Sequence, residues 1–318
     1  MSGSNGRRSS SFEFGAALFS LPDSSFHLLR DLIAERTGIL FDETKRSLLA
    51  DKVSELVTAN GLSSFLDYYY LLRYDSAADE HWTALINRLS VPETFFWRQS
   101  EQFEALASII APQHFKRDPR RPLRIWSAAC CTGEEPVSIA LALDRAGWLD
   151  RMPVEIRATD ASPAMIARAK DGWYGERSFR QLPAGLKERY FEGNELDRWR
   201  PLPSLTRPIR YGIANLAHRT EFESLADADV IFCRNVFIYF GDDTIRNVVR
   251  VFSERIPPDG CVFLGASESL TRLGVDLELA EIGRAFAYVK EGRRRIVEQW
   301  RASSPDAALP PPRMPELS

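Results

Sequence analysis

Cysteine and histidine are scarce in this sequence, with four of each in 318 residues. Cys130 and Cys131 are neighbours, which seldom bridge one another, and Cys233 and Cys261 stand alone without a Cys-x-x-Cys pair. That excludes a disulfide framework and a thiolate zinc site, and leaves reduced, partly buried core residues. His27, His81, His114 and His218 lack the paired spacing of metal ligands, so no metal is expected. No apolar run approaches the roughly 20 residues that cross a bilayer. The start, MSGSNGRRSSSFEF, has no apolar signal stretch. A cytoplasmic location is therefore expected. An excess of one charge is lacking too: 41 basic and 44 acidic residues give a net charge of −3, which speaks against a nucleic-acid binder held by bulk phosphate attraction.

What is present is enough apolar material, 44%, for a sizeable core. Residues 1–20 are Ser/Gly-rich and 293–318 Pro-rich, and both read as disordered tails. Residues 21–90 read as all-helical, a substrate-docking domain in the assignment developed below. Phe26, Leu29 and Ile33 fall at helical spacing, as do Leu48, Leu49, Val53, Leu56 and Val57, then Phe65, Leu66, Tyr69 and Leu72. Gly38 and Gly61 mark helix ends, and Ser63 is the expected N-cap of the helix that follows.

After Pro122 strands and helices alternate. Leu123 to Ser127 predicts a strand, Glu135 to Ala146 a helix, Val154 to Thr159 a strand, and Pro163 to Asp171 a helix capped by Ser162. Ile209 to Ile213, Val230 to Cys233 and Val262 to Leu264 predict buried parallel strands, and residues 275–290 a hairpin at the sheet edge. The expectation is a doubly wound α/β sheet over residues 91–292. About 176–208, six arginines and four prolines with little periodicity predict a small insertion.

In such a sheet ligands bind outside the carboxyl ends of the strands. The first of these ends is WSAACCTGEEP, residues 126–136. A dinucleotide fingerprint needs three glycines, and only Gly133 is there. Ala128, Ala129 and Gly133 leave room for close backbone approach. Glu134 and Glu135 would repel a pyrophosphate and suit a ligand with positive charge or hydroxyls. Asp160 ends the second strand, where a carboxylate accepts hydrogen bonds from ribose, or else merely caps the next helix. An adenosine-bearing cation without pyrophosphate is S-adenosylmethionine.

The stretches VPETFFWR (91–98), IWSAACCTGEEPVSIA (125–140), ATDASPAMIARAKDGWY (158–174) and DVIFCRNVFIYF (229–240) resemble, in order and spacing, the signature blocks of the CheR-type chemotaxis receptor methyltransferases. The resemblance implies a Rossmann-like class I S-adenosylmethionine-dependent methyltransferase sheet, an N-terminal all-helical domain and a small inserted β subdomain. It implies methyl transfer to glutamate side chains on the cytoplasmic domain of a chemoreceptor, with S-adenosyl-L-homocysteine as product. A monomer is the default expectation, and the lack of a long apolar run predicts no membrane insertion. Carried over, Thr94 and Arg98 lie beside the cofactor's methionine end. One of the paired acids, Glu135 ahead of Glu134 with the choice left open, and Asp160 are acidic contacts, Asn215 and Leu216 flank the adenine, and Asn235 and Val236 line the site. Tyr239 lies near the methyl. Arg98 and Tyr239 are the catalytic candidates, with a structural ion pair as the alternative for Arg98. A glutamate substrate is already ionised at neutral pH and needs no general base.

Two departures from the family pattern stand out. Pro92 replaces an asparagine two residues before Thr94. In DETKRSLLADKVSELV, whose family counterpart is arginine-rich, Lys45, Arg46 and Lys52 are offset by Asp42, Glu43, Asp51 and Glu55. Rival readings are a related methyltransferase for a small molecule or a non-chemotaxis signalling protein, and a non-catalytic S-adenosylmethionine-binding scaffold.

Overall fold

The computed structural model describes residues 21–290 and 292, and the two expected tails lie outside the described residues. It divides into two compact units. The first takes in the described residues up to Arg30 with Phe41–Leu85, and the second Asp31–Leu40 with the described residues from Ile86 onward.

The helices are α1 (Asp23–Thr37), α2 (Arg46–Ala59), α3 (Phe65–Tyr74) and α4 (Ala78–Leu89), with both α1 and α4 continuing along the chain into the second unit. Leu49, Val53 and Val57 recur at helical spacing and are buried, as are Phe65, Tyr68 and Leu72. Two expected positions differ: Leu48 and Leu66 are exposed, and Tyr68 takes the inward place between Phe65 and Leu72. The cap of α3 is Ser64, whose hydroxyl accepts the Asp67 amide at 3.1 Å, while Ser63 donates to the Asp67 carboxylate. On the charged stretch before and into α2, Arg46 pairs with Asp23 and with Glu43 (2.7 Å), and Lys45 with Asp42 (3.7 Å).

In the second unit the strands are β1 (Leu123–Ala128), β2 (Val154–Asp160), β3 (Phe191–Gly193), β4 (Trp199–Pro201), β5 (Ile209–Ile213), β6 (Val230–Cys233), β7 (Cys261–Phe263), β8 (Leu277–Ile282) and β9 (Ala285–Lys290). Seven form one sheet in the order β5-β2-β1-β6-β7-β9-β8, parallel except for β9, which pairs antiparallel with both β7 and β8. Side chains alternate between two apolar layers. Ile125, Ile156, Phe232 and Phe263 face one, with Val137 and Leu141 of the helix after β1. Trp126, Ile231 and Val262 face the other, with Val248, Val249 and Phe252 of the helix Asp242–Arg255. Each such fully buried aliphatic or phenyl side chain contributes about 1.5–3 kcal/mol of transfer free energy. Strands buried on both faces explain why β6 and β7 are unbroken apolar runs.

The stretch between Arg98 and Pro122, for which the pattern predicts no element, is helical: α5 (Ser100–Ala105) and α6 (Ala111–Arg117) joined by a π turn at Leu106–Ile110. Pro112 enters α6 just after that turn, where its missing N–H and its ring are tolerated. Next come α7 (Glu134–Arg145) and α8 (Pro163–Asp171), the latter capped by Ser162, whose hydroxyl accepts the Met165 amide at 3.2 Å. Between α8 and β5 lies the expected insertion. Its two antiparallel strands, β3 and β4, have three residues each, and Tyr174 bridges to Trp199, so pairing reaches back before residue 176.

Candidate active site

The strand order reverses between β1 and β6, so the carboxyl ends of β1, β2 and β6 open one crevice. After β1 the chain turns through three left-handed residues, Ala129 (φ 58°), Cys131 (φ 52°) and Gly133 (φ 96°). For the two non-glycines this conformation costs of order 1–3 kcal/mol each, and the surroundings must impose it. They do so by hydrogen bonds. The Cys130 amide donates to the Thr159 carbonyl (2.8 Å), and the Cys131 amide to Asp160 Oδ2 (3.0 Å). Asp160 Oδ1 accepts the Ser162 amide at 2.9 Å. Asp160 therefore does not cap α8; it ties the end of β2 to the loop after β1, and each oxygen keeps a lone pair for a ligand. Burial raises its pKa, opposed by those two amides.

Room at this loop comes from Ala129, which is half-buried, because the Ala128 side chain is packed into the core. Gly133 serves packing instead. A Cβ there would sit 2.9 Å from Tyr174 Oη and 3.0 Å from the Ala169 Cβ. Neither thiol is a nucleophile. Burial pushes Cys131 up to about 12 and Cys130 well above its ordinary value.

The two acids part company. Glu134 is buried and accepts from the Thr132 hydroxyl (2.6 Å) and from Ser178 (2.9 Å) of the inserted segment, so it turns away from the crevice. Glu135 accepts from Ser127 (2.6 Å) and pairs with Arg234 Nη1 at 3.4 Å. Burial raises both carboxyls; for Glu135 the opposing influences are Arg234, Ser127 and Arg98.

Arg98 stands between two left-handed residues, Trp97 (φ 67°) and Gln99 (φ 57°). The Trp97 amide is held by Ser138 Oγ at 3.0 Å, and Gln99 Oε1 takes two donors of Arg234. Arg234 also donates to the Arg98 carbonyl. The Arg98 guanidinium lies 5.4 Å from the Phe95 ring centroid and donates to the Glu93 carbonyl at 2.8 Å. Thr94 is half-buried in the same stretch. Tyr239 is half-buried too, and burial raises its phenol against the opposing charge of Arg98, so it stays protonated as a donor.

Asn215 follows β5, and its side chain is engaged locally, donating to the Arg36 carbonyl (2.8 Å) and accepting from the Ala217 amide (2.9 Å). Leu216 is packed in the core beside Phe222, so only its edge is open. Asn235 (φ 59°) and the half-buried Val236 form the turn after β6. Sequence reasoning missed Ser127, Gln99 and Glu268. The carboxylate of Glu268 takes the amides of Asn235 (2.8 Å), Gly265 (2.7 Å) and Phe237 (2.8 Å). An acid just past a buried strand is a legible signal, the one already used for Asp160.

Family comparison agrees with this geometry. Residues 92–285 match the CheR methyltransferase SAM-binding domain and residues 24–90 the CheR all-alpha domain. The chain belongs to the CheR methyltransferase family. It is 32% identical over 280 residues to chemotaxis protein methyltransferase 2 of Vibrio cholerae, covering 88% of this chain and 97% of that protein. It is 29% identical to chemotaxis protein methyltransferase 1 of Pseudomonas aeruginosa (85% and 98% covered). With chemotaxis protein methyltransferase of Escherichia coli the identity is 32% (80% and 87% covered). Like the family, this CheR protein takes S-adenosylmethionine as cofactor. Its residues fit that group. Glu135, held by Ser127 and Arg234, and Asp160 put negative charge at the crevice, and the unused lone pairs of Asp160 suit hydroxyls.

Proposed function

We propose that this CheR protein methylates glutamate side chains on the cytoplasmic domain of a chemoreceptor, forming γ-glutamyl methyl esters and S-adenosyl-L-homocysteine in the cytoplasm. The observation that carries the reading is the placement of Arg98, held out from a doubly left-handed backbone within the electrostatic reach of Tyr239 and Glu135. The names of the relatives, chemotaxis protein methyltransferases, support the substrate class.

When bound, S-adenosylmethionine supplies a methyl group on a positively charged sulfur. The chain has to bring a carboxylate to it in line, within about 3–3.5 Å and out of bulk water. Glu135 and Asp160 give the crevice its negative charge, and Asp160 accepts from hydroxyls. Arg234, held between Gln99 and Glu135, donates to the Arg98 carbonyl and so fixes the backbone that carries Arg98. Arg98 then orients the incoming glutamate, with the Tyr239 phenol as second donor. No side chain has to take a proton, since the substrate arrives ionised.

The test incubates the full chain with methyl-labelled cofactor and a chemoreceptor cytoplasmic fragment. Base-labile label on the fragment is expected, and base-stable label or none overturns the reading. In Arg98→Ala, turnover should fall about 100-fold, as expected when a reacting group is misplaced. Unchanged turnover removes Arg98 from the mechanism.

A further inference from the structure

We propose that Glu268 is a positioning residue for methyl transfer: an internal carboxylate that fills the anion-binding turn after β6 and so fixes the segment bearing Tyr239. The inference deepens the proposed function and rests on it.

The turn is built like an anion site. Asn235 is left-handed and Val236 (φ −116°, ψ −36°) right-handed, the alternation that converges successive backbone N–H groups on one point. Beside the crevice such a nest would compete for any carboxylate entering it. Glu268, from the loop between β7 and β8, occupies it from inside. Its Oε2 accepts the Asn235 and Gly265 amides at 2.8 and 2.7 Å, and its Oε1 the Phe237 amide at 2.8 Å and the Ile238 amide at 3.4 Å.

Three of these donors belong to residues 235–238, directly before Tyr239. The fourth is Gly265, where a Cβ would meet Glu268 Oε2 and Asn235 Nδ2, each at 2.7 Å, so a larger residue must displace one of these side chains. From the far side the Leu264 carbonyl accepts from Gln102 Nε2 at 2.9 Å, which steadies the end of β7. Two consequences follow. The phenol of Tyr239 inherits its position from the Glu268 carboxylate. Incoming carboxylates find the nest filled and are left to the guanidinium of Arg98.

Glu268→Gln keeps the shape but turns an NH2 toward two of the amides. Gly265→Ala attacks the same contact from the other side. Both are compared with the unaltered full chain in three measurements: methyl transfer to the receptor fragment, S-adenosyl-L-homocysteine binding by calorimetry, and amide hydrogen exchange of peptides covering 234–240. We expect kcat to fall about 100-fold, the effect of a misplaced reacting group. Affinity for S-adenosyl-L-homocysteine should stay within about threefold, less than one typical hydrogen bond. Exchange should quicken at 235–238. Wild-type kcat and exchange in Glu268→Gln would overturn the proposal, and so would a parallel loss of turnover, affinity and melting temperature, which marks a merely structural residue. If the unaltered chain transfers no methyl group, the proposed function fails, and the exchange measurement still decides whether Glu268 holds the turn.

Discussion

Asp160 shows how one side chain links fold to chemistry. Its two oxygens accept amides from different segments, Cys131 and Ser162, which sets the loop after β1 while leaving lone pairs toward the crevice. Asp160→Asn replaces one oxygen by an NH2 that must face an N–H donor and removes the charge. A hydrogen bond to a charged group is worth about 1.5–3 kcal/mol, so affinity for S-adenosyl-L-homocysteine should drop roughly 10- to 100-fold by calorimetry. Glu134→Gln is the matched control, because Glu134 is satisfied by Thr132 and Ser178 and should leave affinity nearly unchanged. A larger effect at Glu134 than at Asp160 would reverse the two assignments. The sequence places both acids beside a strand end, but it does not show which way each turns. That choice depends on Ser178, 44 residues downstream of Glu134, and on Arg234 paired to Glu135.

At the scale of elements, the loop after β1 is braced by the root of the inserted segment. Tyr174 Oη donates to the Thr132 carbonyl at 2.9 Å and lies against Gly133, while the Phe96 amide donates to the Ser178 carbonyl at 2.8 Å. Gly133→Ala would force a Cβ into a φ of 96° and to 2.9 Å from that hydroxyl. Left-handed strain of about 1–3 kcal/mol and overpacking of similar size should both appear as lost stability in urea unfolding. Gly133→Ala with Tyr174→Phe should recover part of the loss, since the closest atom is gone. No recovery would place the cost in the backbone and in the contacts that remain, with the Ala169 Cβ at 3.0 Å and Tyr211 Oη at 3.1 Å.

The elements themselves were largely legible. β5, β6 and α8 run where the apolar pattern and the Ser-Pro cap predict, because their signals are local. The helical stretch 100–117 was not, because its π turn and Pro112 break the 3.6-residue period. The inward place of Tyr68 was hidden for a different reason: three consecutive tyrosines carry no periodic signal, and packing makes the choice.

Over the whole molecule, three carboxyls near the end of β1, Glu135 and Asp160 at the crevice and Glu134 turned away from it, have pKa values raised by burial. In the unfolded chain they ionise in the ordinary carboxylate range, so between that range and the raised values the native state binds more protons. Stability of the free protein should therefore fall as pH climbs through this window and level off above it. On the acid side Asp42 and Asp67, whose pKa values are lowered first by hydrogen bonds from Thr44 and Ser64, act in the opposite sense. Their contribution is lost as pH drops through their folded values. A cationic ligand selects ionised Glu135 and Asp160, so its affinity should rise with pH across the window in which the free protein weakens. Ligand stabilisation grows as RT ln(1 + [L]/Kd), and urea unfolding with and without S-adenosylmethionine from about pH 4 to 7 reads both trends at once. A ligand-induced gain that stays flat with pH would mean these acids do not face the ligand. In Asp160→Asn the rise should shrink and persist only through Glu135.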